Sequence, residues 1–140
     1  RFRLHRTRNM LIELCKQIAK IKKDVVFVGG ISMQMHGLNH EAKDIDIVVK
    51  NLDYLDKFGK INYFKSVSKF SKSGKRANII ISDEIIIDIF VENDLPDFKI
   101  IEGLRCETLF SLNNHFEELQ KIITDKYWLD IIKVKLNKLK

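Results

Sequence analysis

The chain has 140 residues, of which 45% are hydrophobic and 31% charged. That is the length of one ordinary domain, with enough apolar side chain for a core and too much for a disordered chain. The net charge of +6, concentrated in "RFRLHRTR" and "KVKLNKLK" at the two ends, suits a partner or substrate that carries phosphates. No apolar run approaches the ~20 residues of a membrane span, and the N-terminus lacks the apolar stretch of a secretory leader. Cys15 and Cys106 lie far apart without metal-site spacing, so they read as reduced thiols of a cytoplasmic protein with no membrane partner.

In chain order, apolar residues at Leu11, Leu14, Cys15, Ile18 and Ile21 predict an amphipathic helix from about Arg8 to Ile21. "VVFV" (Val25 to Val28) reads as a short buried strand ended by Gly29-Gly30, and "ISMQMHG" as a short helix stopping at Gly37. "DIDIVV" is a second strand, and "LDYLDKF" a helical turn. "INYFKSVSKF" and "RANIII" read as strands joined by a turn at "SKSGK", followed by a turn at "SDE" and a strand "IIIDIFVE", an antiparallel meander. After Pro96 the spacing becomes helical in "CETLFSLNNHFEELQKI" and "TDKYWLDIIKVKLNKL". The expected fold is therefore α+β, a mixed sheet with helices on one face and two C-terminal helices. It forms a single domain over 1–140, with its core at about 10–95 and the final helices at about 105–140.

The chemistry concentrates in three places. Asp44 and Asp46 are two apart in a strand, so both carboxylates point to one side while Ile45 and Ile47 face the core. Like charges this close repel unless a cation bridges them, and Mg²⁺, or Mn²⁺ in its place, prefers such oxygen ligands. Asp88 interrupts the apolar strand "EIIIDIFVE" and supplies a third carboxylate if that strand lies beside the first. Two metal ions held ~3.5–4 Å apart by such a cluster activate an attacking oxygen and stabilise a leaving phosphate oxygen. Gly29-Gly30 leads from a strand into a helix N-terminus, where unpaired N–H groups and the absence of a β-carbon admit a phosphate, with Ser32 as a further donor.

"VGGIS", "KDIDIVV" and "IIIDIF" together resemble the nucleotidyltransferase superfamily that includes DNA polymerase beta, and "MHGLNHEAKDIDIV" resembles its small bacterial abortive-infection and toxin–antitoxin type. The resemblance spans Val26 to about Val91. It implies that Asp44, Asp46 and Asp88 hold Mg²⁺, that Gly29, Gly30 and Ser32 contact a nucleoside triphosphate, and that Asp88 helps deprotonate an acceptor hydroxyl. The implied reaction moves a nucleoside monophosphate, from ATP or another NTP, to a hydroxyl of an RNA such as tRNA or of a protein, releasing pyrophosphate. Where that type carries Arg and Thr before its DxD, this chain has His40 and Ala42, which leaves His40 and Lys43 to supply positive charge. A catalytically inactive nucleotide- or partner-binding module of the same fold is the alternative. His40 is otherwise expected at the surface. Tyr127 and Trp128 are expected in helix packing, with stacking on a base as the alternative, and Lys133, Lys135, Lys138 and Lys140 on a basic helix face, either solvated or a track for RNA phosphates. Lys72, Lys75 and Arg76 of the hairpin are candidates for touching a phosphate.

Overall fold

A computed structural model describes residues 2–65 and 73–140, with side chains from Met10 onward. The chain order is α1 (Phe2–Ile21), β1 (Val26–Val28), α2 (Gly29–Met35), β2 (Ile45–Val49), a short 3-10 turn (Leu55–Phe58), β3 (Asn62–Lys65), β4 (Lys75–Ile80), β5 (Ile86–Val91), β6 (Phe98–Ile101), β7 (Leu104–Glu107), α3 (Leu109–Ile122) and α4 (Lys126–Leu139). The seven strands form one mixed sheet in the order β3-β4-β5-β2-β1-β7-β6. β2 runs parallel to β5, and β1 parallel to β7; the other neighbours are antiparallel. This is the α+β class with two C-terminal helices. The predicted continuation of β3 to Phe70 and part of the "SKSGK" turn, with Lys72, lie outside the described residues.

Strand alternation separates the two faces of the sheet. Phe27, Ile45, Ile47, Ala77, Ile79, Ile87 and Ile89 are buried in one cluster with Leu11, Cys15 and Ile18 of α1. Those helix positions recur at the spacing that places them on one stripe. α2 bridges to a second cluster: its Ile31 joins the first, while its Met33 packs with Leu112, Phe116 and Leu119 of α3 and with Ile132 and Leu136 of α4. α3 and α4 are capped by Thr108, which accepts from Ser111 N at 3.1 Å, and by Asp125, which accepts from Tyr127 N at 2.8 Å.

The hairpin β6–β7 is a departure from the sequence reading, which begins a helix at Cys106. Cys106 instead lies in β7, buried opposite Phe27 of β1. The hairpin turns at Glu102 and Gly103, whose φ values of 51° and 79° are both positive, the backbone of a tight two-residue turn. The helix starts only after Thr108. Both cysteines are free and buried. Among the described residues no helix is long and apolar enough to cross a membrane.

Candidate functional site

The face of the sheet away from α1 carries a polar row. Cross-strand register places Asn62 beside Asn78, Asn78 beside Asp88, Asp88 beside Asp46, and Asp46 beside Val28. Asn62 Nδ2 donates to Asn78 Oδ1 at 3.1 Å. The parallel pairing of β2 with β5 thus sets Asp46 and Asp88 side by side on one face. Burial pushes the Asp46 carboxyl up to about 7, and the Asp88 charge adds to that rise; Lys135 opposes it, Asp44 adds to it and Arg76 opposes it. Asp88 is also raised by burial, held down in part by Arg76, raised by Asp44 and held down by a hydrogen bond from the Asp46 carboxyl. Two carboxyls sharing a site this way keep a proton that separate ones would lose.

Asp44 lies one residue before β2, and its Oδ1 accepts from Ile86 N at 3.2 Å. It therefore ties the start of β2 to the start of β5. Its charge still reaches both other carboxyls. Among the described residues no group of three or more His, Cys, Asp or Glu side chains is disposed as a ready metal cage. The structure sets two of the three expected ligands side by side in register, with the third held by Ile86 N–H within electrostatic reach of both.

The neighbouring row positions Arg76. It sits opposite Phe64 and Phe90 in register, with its guanidinium 5.0 Å and 4.3 Å from their ring centres. Its Nη2 stands 3.9 Å from Asp88 Oδ1, and its Nε is buried without a hydrogen-bond partner. Arg76 is thus clamped against the carboxylate pair rather than displayed at a hairpin tip for a phosphate, as the sequence suggests. Lys75 is exposed.

Gly29 and Gly30 are glycines for a reason the sequence reading does not reach. Gly29 has φ +61°, and a β-carbon there would stand 2.6 Å from Asp46 Oδ2. A β-carbon on Gly30 would stand 2.8 Å from His40 Nε2. The two glycines let an acidic side chain and an imidazole close against the start of α2.

Ser32 is fully buried, and its hydroxyl donates to the Glu107 carbonyl oxygen at 2.8 Å, so it is not presented to the carboxylate pair. That same carbonyl lies 2.8 Å from His36 Nε2. The Glu107 side chain accepts from Ser111 Oγ at 2.7 Å and from the Gly29 N–H. Burial raises its carboxyl, and these two donors oppose the rise. Glu107 therefore ties β7, α2 and α3 together and occupies one of the N–H groups expected to cradle a phosphate. Sequence reasoning places Glu107 in a helix and gives it no role.

The positive charge comes from α4. Burial lowers the Lys135 ammonium, with Asp46 opposing and Lys138 adding to the fall. His40 is half-buried rather than at the surface. Lys138 Nζ lies 3.2 Å from its Nδ1, while burial, then Lys138 and Lys135, lower it to about 4. The imidazole is neutral at neutral pH, with Nδ1 accepting and the proton on Nε2, toward Gly30. The four C-terminal lysines do not share one solvated face: Lys133 and Lys140 are exposed, while Lys135 and Lys138 turn inward. Lys43 is exposed just before β2. Tyr127 and Trp128 are 66% and 49% exposed, so they do not supply the helix packing expected of them.

The domain is a mixed α+β sheet with an acidic pair on its neighbouring strands β2 and β5. No protein-family model and no curated protein matches the chain. Among solved structures it is similar to the crystal structure of JHP933 from Helicobacter pylori, with a TM-score of 0.56 over 88% of this chain and 14% sequence identity. The chain spans 58% of the length of that protein, and the likeness concerns the fold alone.

Proposed function

We propose that this domain is a metal-dependent nucleotidyltransferase, moving a nucleoside monophosphate from an NTP to a hydroxyl of an RNA or protein acceptor with release of pyrophosphate. The observation that carries the reading is the register pairing of Asp46 with Asp88, against the Gly29–Gly30 start of α2. The donor set fits a hard divalent cation. Both carboxyls are raised chiefly by burial, with Asp88 adding to the rise at Asp46 and Asp44 adding to it at Asp88, so the pair gains from a positive charge beside it. Asp46 and Asp88 would hold Mg²⁺ or Mn²⁺, with the Asp44 oxygen not engaged by Ile86 as a further donor. When bound, the metal supplies charge neutralisation of the phosphates and activation of the attacking hydroxyl.

The chain's own residues do the rest. Asp88, 29% exposed at its side chain, takes the acceptor proton, and its raised affinity for protons suits that task. Arg76 holds Asp88 in place from the neighbouring strand. Lys135, Lys138 and the neutral His40 flank the phosphates from α4 and the α2–β2 loop in place of an arginine and a threonine. The inactive module remains the second reading, favoured by Asp44 on Ile86 N–H and Glu107 on Gly29 N–H.

The test is Mg²⁺-dependent incorporation of label from α-labelled NTPs into an RNA pool and a protein extract, using wild type, Asp46→Asn and Asp88→Asn. Label transfer lost in both variants supports the transferase. Mg²⁺-dependent NTP binding without transfer to any acceptor class supports the binding module.

A further inference from the structure

An open cavity of about 290 Å³ is lined by His40, Tyr127, Asp130, Ile131, Val134 and Lys135. The surface these residues turn toward it is almost entirely carbon. Its volume is at the lower edge of the range for small-molecule sites, suited to a ring rather than to a whole nucleotide. Two of its walls belong equally to the site described above. The His40 ring faces Gly30, and the Lys135 charge is felt by Asp46.

Most of the lining comes from α4. Tyr127 is held at the helix start, its N–H on the Asp125 cap, and its ring meets Trp128 edge-on with centroids 5.3 Å apart. A tyrosine 66% exposed at the mouth of a carbon-lined cavity is an expensive surface in water, but an effective stacking partner. Val134 is also 53% exposed along this wall. Lys135 lines the cavity with its carbon stem, and Lys138 Nζ meets the lining residue His40 at Nδ1. An apolar slot with two lysine charges close outside it complements a flat ring that trails phosphates.

We infer that this cavity holds the base of a nucleotide by stacking on Tyr127 and apolar contact with Ile131 and Val134, without hydrogen-bonded readout of its edge. The inference rests on the reading of the domain as a nucleotide enzyme and assigns it a substrate preference. A carbon-lined slot discriminates by ring area, so purines bind better than pyrimidines, while adenine and guanine are poorly distinguished. The acidic Asp130 borders the cavity without adding polar surface to it.

The experiment follows the fluorescence of Trp128, the one tryptophan of the chain, during titration with adenosine, guanosine, uridine and cytidine. Wild type, Tyr127→Phe and Tyr127→Ala are compared, followed by ATP and inorganic triphosphate with Mg²⁺. Both purine nucleosides are expected to bind within a few-fold of each other and more tightly than the pyrimidines. Tyr127→Ala is expected to weaken them about tenfold, and Tyr127→Phe to retain them within about twofold. Because Tyr127 is exposed, both variants should fold, and circular dichroism matching that of wild type is the check. Adenosine binding unaffected by Tyr127→Ala overturns the inference, as does the absence of any response to nucleosides or NTPs. If Mg²⁺-ATP and Mg²⁺-triphosphate bind equally in wild type and Tyr127→Ala, the phosphate site stands and the base cavity falls. If nucleosides bind through Tyr127 but no NTP is turned over, the cavity stands and the transferase reading falls.

Discussion

Asp46→Asn is expected to make the protein more stable while removing its activity. The Asp46 carboxyl is held at about 7 instead of its ordinary 3.8, because it is buried beside Asp88. Such a group binds its proton more tightly folded than unfolded. Its contribution to stability is complete below the ordinary carboxyl range and is lost as pH rises through 7. Above that point the ionised carboxylate costs about 4 kcal/mol relative to a group with an unshifted pKa. Asparagine is nearly isosteric and carries no charge. Part of the gain is returned, because Lys135 is held charged by Asp46 and loses that support. A net gain of about 2 kcal/mol at pH 8 is expected, and for a chain of this length that raises Tm by about 7 °C. At pH 4 the gain vanishes, since wild-type Asp46 is then protonated. The assay is urea and thermal unfolding of both proteins between pH 4 and pH 8.5. A variant that is no more stable at pH 8, or equally more stable at pH 4, refutes the assignment of strain to the acidic pair. Millimolar Mg²⁺ is expected to stabilise wild type at pH 8 and to leave the variant unchanged, which the same unfolding curves report.

Other outcomes follow from the same geometry. Gly29→Ala places a methyl against Asp46 Oδ2 on a positive-φ backbone and should cost about 2 kcal/mol or more, measured by urea denaturation. Glu107→Ala strips partners from the Gly29 N–H and the Ser111 hydroxyl and should cost about 2–3 kcal/mol, whereas an exposed control such as Glu118→Ala should change little. Arg76→Met removes the cation that holds Asp88 down while keeping an apolar chain between Phe64 and Phe90. The Asp88 carboxyl should then titrate higher, as followed by side-chain carbon NMR, and a lower value would contradict the pairing.

The centre of the fold was readable because its strands are nearly pure aliphatic runs. A carboxylate within such a run stands out, which is how Asp46 and Asp88 were found, and alternation assigned the face of each. Register between β2 and β5 was not readable, yet it is what makes them a pair. Asp44 shows the limit of a period-two argument: it lies just outside the strand, and a backbone amide claims one of its oxygens. The β6–β7 hairpin was hidden by its brevity and by a Glu-Gly turn, a weaker signal than Asn-Gly or Asp-Gly. Cys106 and Glu107 then blended into the helical spacing that follows. Lys135 and His40 could not be linked from sequence to the acidic pair, since only tertiary packing brings α4 and the α2–β2 loop there. Ser32 looked like a ligand donor because serine after two glycines fits that pattern, but the buried carbonyl of Glu107 takes its hydroxyl.

The clasp at Glu107 also bears on how the protein matures as it leaves the ribosome. The strands bearing Asp46 and Asp88 emerge early and can zip together with β1 and β4. The edge of β1, however, stays bare until β7 arrives beside it, and α2, packed on the core through Ile31, lacks its ties from Ser32, His36 and Gly29 to Glu107 until then. A nascent chain therefore exposes an aggregation-prone aliphatic edge during the interval. Severing the backbone between Glu92 and Phe98 should yield two fragments that regain structure only when mixed, with the second acting as a templated lid for the first.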